Sequence, residues 1–173
     1  MSVLTLADAK LHLNITKTVN DVELQAVIDA AEAAIAKRVG PLASTSVTSV
    51  VQGCTDMLIL PVNPVMSLTS VTPVSSSSLD VTGLVADTAG IVTYKGWGYF
   101  PARTYTVTYS AGRASVTADL LLAVKELVRH LWGPQRGSGI APGQADAAPS
   151  SMPGFSFPNR VLELLANHQQ VGV

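Results

Sequence analysis

The stretch "YTVTYSAGRASVTADLLLAVKELVRHLW", Tyr105 to Trp132, decides the fold. Its opening is dominated by Thr, Val and Tyr, and this composition predicts a strand. A turn containing Gly112 follows, and then the period changes. Leu120, Leu121, Val124, Leu127, Val128 and Leu131 recur at helical spacing and make a wide apolar stripe. Thr117 stands where a cap is needed, and Asp119 lies near the positive end of the helix dipole. Val116 and Leu121 can close a hydrophobic staple across the start. Gly133 and Pro134 are the expected stop. Leu122 falls outside the stripe and shares a face with Glu126 and Arg129. It is either a contact to a neighbouring subunit or a single exposed leucine.

Upstream, both kinds of element recur. Residues 44–110 form a Val- and Thr-rich block cut by Pro, Gly and Ser clusters. In it "SVTSVV", "MLILP", "SLTSVTPV", "GIVTY" and "TYTVTYS" are expected strands, with "SSSSLD" and "ADTAG" as turns. From Ser44 to Tyr109 the charges are only Asp56, Asp80, Asp87, Lys95 and Arg103, so strand edges there would be sticky alone. Ahead of the block lie two helices, expected over 5–14 and 20–39. Thr5 and Asp8 suit a capping box for the first. Asn20 and Glu23 suit one for the second, which carries Leu24, Val27, Ile28, Ala31 and Ile35 at helical spacing. Gly40 and Pro41 stop it. With the helix over 117–132, the expected class is α+β: a helical body with an inserted antiparallel β-section, forming a core over 1–133.

Downstream, "PQRGSGIAPGQADAAPSSMPG" is rich in Gly, Pro, Ala and Ser. It predicts an extended linker arm over 134–157. Then "PGFSFPNRVLELLANH", Pro153 to His168, builds one more short helix, part of a segment over 158–173. Pro158 is its first helical residue, or Asn159 is its cap. Val161, Leu164 and Leu165 share one side. A helix shorter than ~12–15 residues is marginal in water, so this one needs a surface to sit on. That surface is either its own domain or another chain. An arm of roughly twenty residues could span tens of ångströms, which favours a neighbour or a partner ring.

Composition agrees with a chain that hides surface. Of 173 residues, 13% are charged and 47% hydrophobic. Average soluble proteins are roughly 25% charged. Obligate interfaces resemble a domain core cut in half, and such a chain suits them. The formal net charge is −1 with no basic block, which argues against strong binding to phosphate backbones. The single cysteine, Cys54, excludes an intrachain disulfide and suits a reducing compartment. "MSVLTLADAK" is not expected to be a signal peptide, and no apolar run is long enough to span a membrane. The "NIT" sequon at Asn14 is expected to be chance.

Little chemistry is on offer. His12, His130 and His168 lack metal-ligand partners at useful spacing, so no metal site is expected. No "GxSxG" elbow is present, and "GPQRGSGIAPG" lacks the "GK[ST]" ending of a phosphate loop. No carboxylate pair stands out, and Cys54 lacks basic activation. No cofactor and no enzyme activity are expected. A hydrolase would need a pocket joining residues such as His130 and Asp119. The loop "KGWGYFP" packs three aromatics together. Trp97, Tyr99 and Phe100 either close the core from the side or anchor a partner. Base stacking is weaker, since only Lys95 and Arg103 stand near to hold a nucleic-acid backbone.

The order of elements resembles the head-tail connector proteins of tailed bacteriophages, the adaptor or head completion family. "LADAKLHLNI" with "NDVELQAVIDAAEAAIAKRVG" is similar to the family's opening helices. "LILPVNPVMSLTSV" is similar to its strand block, and Tyr105–Trp132 to its closing strand, turn and long helix. The resemblance covers most of Met1 to Trp132. Thr117 stands where many members have proline. "FPNRVLELL" is similar to endings of some actinobacterial-phage connectors. The resemblance implies a non-enzymatic virion protein of the neck. It would form a ring of about twelve copies, a cyclic assembly, under the portal protein. The ring would pass genomic DNA without sequence-specific binding and offer a platform to the next neck or tail protein, with no membrane involved. On this reading Phe155, Phe157, Arg160, Val161, Leu164 and Leu165 dock on the portal. Trp97, Tyr99, Phe100 and Leu122 meet a neighbouring subunit or neck partner. A tail terminator or other neck ring protein is the nearest rival. A monomeric β-rich ligand-binding module is the rival of another class.

Overall fold

The computed structural model describes residues 2–53, 56–74, 76–135 and 157–168. Most of the arm expected over 134–157 lies outside them, as do Cys54 and Phe155. The described chain is α+β and divides into two units. One holds the residues up to Ile35 together with those from Val116 on; the other holds Ala36–Ser115.

The first unit is helical. Helix α1 spans Leu6–Leu13. Its start is fixed by Thr5, whose hydroxyl accepts from the Asp8 N–H at 3.1 Å and donates to the Asp8 carboxylate at 2.6 Å. Its end is fixed by Asn14, left-handed at φ 55°, a conformation asparagine tolerates. Helix α2 spans Asp21–Val39, its last four residues belonging to the second unit. Lys10 Nζ meets Asp21 Oδ1 at 2.8 Å and ties the end of α1 to the start of α2. Leu24, Val27, Ile28, Ala31 and Ile35 are buried, as their spacing predicts. Glu32 was not distinguished in the sequence. Its Oε1 accepts from Ser2 Oγ, Val3 N and Leu4 N at 2.9, 2.8 and 2.8 Å, and so fastens the leading segment to α2.

Helix α3 spans Ala118–Gln135. The Thr117 carbonyl accepts its first backbone bond, from Leu121 N at 3.0 Å. The helix does not stop at Gly133 and Pro134 as expected. Gly133 has no Cβ, and the Cβ before a proline is much of what opposes the helical conformation there. Helix α4 spans Asn159–Leu165 and continues as a 3-10 turn over Ala166–His168. Neither expected start is quite right: Pro158 is itself the cap, with φ −58° and ψ 141°, and Asn159 is the first helical residue. Proline offers no side-chain acceptor, but its carbonyl accepts from Val161 N and Leu162 N at 2.9 and 3.1 Å.

Among its described residues the second unit carries six strands. They are β1 Thr45–Gly53, β2 Met57–Ile59, β3 Val65–Pro73, β4 Leu84–Ala86, β5 Ile91–Tyr94 and β6 Arg103–Ala111. They form two antiparallel three-stranded sheets, ordered β1–β6–β3 and β2–β5–β4. Strand β4 is too short for alternation to show and was not expected. Inward residues of both sheets share one core, including Leu58, Val71, Val92, Tyr105, Val107 and Tyr109. The Tyr109 hydroxyl accepts from Val62 N–H at 3.2 Å, so this buried phenol is partnered.

β6 ends in a tight corner at Gly112. Its φ is +115°, its N–H donates to the Pro64 carbonyl at 2.8 Å, and a Cβ there would strike the Ala43 carbonyl oxygen. Next to it, Arg113 donates to the carbonyls of Val39 (Nη2, 3.0 Å) and Pro41 (Nη1, 3.2 Å), covering acceptors that the end of α2 leaves open. Gly112→Ala should therefore destabilise the protein by at least roughly 1–3 kcal/mol, the cost of a strained backbone position. Urea unfolding of the variant beside the parent measures it. An unchanged midpoint would mean that the corner relaxes freely.

Candidate assembly surfaces

The loop after β5 was expected either to close the core or to anchor a partner. Its residues divide: Phe100 closes the core, while Trp97 and Tyr99 stand in water. Phe100 is fully buried. Its ring lies 4.8 Å from that of Tyr94 and meets Tyr105 edge-on at 5.7 Å and 88°. The expectation that Phe100 meets a neighbour is therefore corrected: its side chain is consumed by the β-unit's own core. Gly98 lies against the Tyr94 ring so closely that a Cβ would come within 2.5 Å of Tyr94 Cγ. The Lys95 N–H donates to the Gly83 carbonyl at 2.9 Å, and the Tyr105 hydroxyl donates to the Pro101 carbonyl at 3.3 Å. A loop tied at these points has no room inside for its other two aromatics. Trp97 is 106% exposed and Tyr99 70%. Large rigid side chains held in water on a fastened loop are what an interface hot spot needs. Tyr94, the platform under Gly98, was not singled out in the sequence.

The closing helix does not present its apolar side outward. Val161 and Leu165 are fully buried in the helical unit, where α4 packs on α3. Their expected role in portal docking is corrected accordingly. Ten residues of helix and 3-10 turn cannot leave such side chains in water, and α3 of the same chain covers them. Polar contacts frame this packing. Arg160 Nη1 lies 3.4 Å from Glu126 Oε1, with the Arg160 side chain still 66% exposed. His168 Nε2 lies 2.6 Å from Asp119 Oδ2. Leu122, which shares a helix face with Glu126, is half-buried, as are Leu164 and Phe157.

Asp119 is the electrostatic centre of that contact. Hydrogen bonds from Thr117 and His168, with the Leu120 N–H at 2.9 Å, hold its carboxyl well below the usual carboxylate range. The helix N-terminus adds favourable field. Among the described residues, no group of three or more His, Cys, Asp or Glu is arranged to hold a metal ion. Nor is any helix long and apolar enough to cross a membrane.

What the fold offers, then, is exposed surface: a fastened aromatic loop and sheets with open edges, beside a clasped terminal helix. The sequence profile of the head completion protein family matches residues 2–171, and the chain belongs to that family. Its class is structural rather than enzymatic. No curated protein matches it. Among solved structures it is similar to a chain of the neck of an empty gene transfer agent (GTA) particle computed with C6 symmetry. The TM-score is 0.68 at 23% identity, over 99% of this chain and 91% of that one. A chain of the native GTA neck computed with C12 symmetry gives 0.67 at 23% identity, with the same coverage. A chain of the native GTA virion gives 0.66 at 20% identity, again with that coverage. These likenesses show the fold.

Two outcomes follow for the terminal helix. Leu165→Ala should cost roughly 2–5 kcal/mol, as for a buried leucine, in urea unfolding of dilute protein. A neutral result would place the packing partner of α4 in another chain. A carboxylate with a depressed pKa adds stability above its ordinary pKa and loses it as pH falls through the depressed value. Asp119→Asn should therefore lower the melting temperature at neutral pH, and the gap to the parent should close in strong acid. A constant gap would mean that the carboxylate's charge contributes nothing.

Proposed function

We propose that this chain is a head-to-tail adaptor subunit. Copies form a ring beneath the portal, extend the DNA channel, and give the next neck or tail protein its platform. The observation that carries this reading is agreement over 99% of the chain with subunits of necks computed with C12 and C6 symmetry. Membership of the head completion family supports it. So does the low charge, since a strongly basic bore would hold DNA rather than let it pass. In this reading Trp97 and Tyr99 face the next neck protein. Arg160 and Leu164, which stay at or near the surface of α4, face the portal.

The test is reconstitution of the full-length protein on purified portal rings of the same phage, followed by sedimentation and electron microscopy. Addition of a twelve-fold ring below the portal is expected. Protein that stays in the supernatant, with bare portal rings, would sink the proposal. Trp97→Ala should leave that ring intact and weaken capture of the next neck protein by roughly 30-fold, the scale of a hot-spot residue. Unchanged capture would remove Trp97 from the platform.

A further inference from the structure

The two sheets of the β-unit differ in their outward sides, although β1–β6–β3 also exposes Val50 and Met66. On the outward side of β1–β6–β3, hydroxyls and amides pair across strands. Ser44 Oγ and Ser110 Oγ lie 2.9 Å apart, Thr48 Oγ1 and Thr108 Oγ1 3.1 Å, and Gln52 Nε2 donates to Thr104 Oγ1 at 2.9 Å. On β2–β5–β4 the register aligns Met57, Thr93 and Val85 in one row, and Ile59 and Ile91 in the next. Asp87 extends that second row, its N–H donating to the Ile91 carbonyl at 2.8 Å. The alternate residues Leu58, Val92 and Leu84 are buried beneath. Yet the four outward apolar side chains are 37–46% exposed. An antiparallel sheet with one solvated face normally shows polar residues there. Here four of the six outward side chains are apolar, with Thr93 between Met57 and Val85 and Asp87 at the end.

The helical unit carries a second uncovered apolar feature. Leu11 of α1, Val19 of the connecting turn and Val22 of α2 are 78–87% exposed. The Lys10–Asp21 pair draws the two helix ends together, so all three residues lie at the corner where α1 meets α2. A ring is built from one joint repeated by rotation, so every copy must carry two unlike, complementary surfaces. The helix corner and the sheet face are two such unlike apolar surfaces. Among the described residues the remaining exposed large hydrophobics are Trp97 and Tyr99 on their loop, and Val50, Met66 and Val74.

We propose that the Leu11/Val19/Val22 corner of one copy seats on the Met57/Ile59/Val85/Ile91 face of a second copy of this chain, forming the repeating joint of the ring. The inference rests on the ring reading given above. The rim supplies opposite charges, Lys17 in the α1–α2 turn and Asp87 at the end of the sheet's outer row, both exposed. The Lys17–Asp87 pairing orients the joint and apolar burial supplies its energy.

Paired variants of the full chain test it. Ile59→Lys spoils the sheet face and leaves the corner; Val22→Asp spoils the corner and leaves the sheet. Both positions are exposed, so both proteins should fold with unchanged circular dichroism. Assembly is followed by light scattering and ultracentrifugation, with portal rings as seed. Each variant alone should assemble at least ~tenfold less readily than the parent, the scale of losing a hot spot. Mixed in equal amounts, they should form dimers and nothing larger, because each mixture joint has one intact corner and one intact face. Val85→Glu with Leu11→Asp should repeat the pattern. Parent-like assembly of either single variant, or a mixture that yields no dimer, overturns the joint while the ring reading stands. A parent protein that stays monomeric even on portal rings overturns both.

Discussion

Strand β6 is the central strand of its sheet, paired with β1 along its whole length and with β3 from Tyr105 to Ala111, and the β-unit is built around that fact. β1 pairs with it from Thr45↔Ala111 to Gly53↔Arg103 without a slip. β3 pairs on the other side with two register shifts. Period-two alternation then leaves no freedom: Tyr105, Val107, Tyr109 and Ala111 must all point inward. These side chains set the floor on which Phe100, Val92 and Leu58 pack. The strand also decides what its neighbours need. It ends at Gly112 because only glycine takes that φ with a carbonyl so near.

The edges of the sheet are unequal. β3 is blunted by its bulges, by Pro73, and by Leu79, whose N–H donates to the Val71 carbonyl at 2.7 Å. β1 has an unbroken register of nine residues with no proline and no charge. Proteins that remain alone tend to guard such an edge. A subunit of a closed assembly has less need to, because its neighbours do the guarding.

The helical unit meets a different constraint. A helix of seven residues has no stability of its own, so α4 exists only because α3 offers it an apolar bed and polar rims at both ends. Asp119 does two things there. It favours the start of α3 through charge, and it binds His168 at the end of the returning segment. Local capping and long-range docking thus share one carboxylate, and a change at that residue reaches both.

Much of the architecture could be read from the chain. Helical spacing marked Leu24 to Ile35 and Leu120 to Leu131, and Thr5 with Asp8 marked a cap that forms as expected. Five of the six described strands lay in apolar or Val- and Thr-rich runs, because side-chain period and turn residues are local properties. The family resemblance was legible for the same reason: it is carried by the order of such elements. What lay beyond reach was long-range. Phe100 and Trp97 are three residues apart in one loop, and nothing local says which is swallowed and which is left in water. The position of Tyr94 under Gly98 decides it. Val161 and Leu165 show an apolar side, but a sequence cannot say whose surface covers it. Glu32 and Arg113 look like ordinary surface charges, yet they hold backbone groups roughly thirty and more than seventy positions away along the chain. Sequence determines the elements because period and capping act over a few residues. Only tertiary structure decides partners, because burial and hydrogen bonding depend on what arrives from elsewhere.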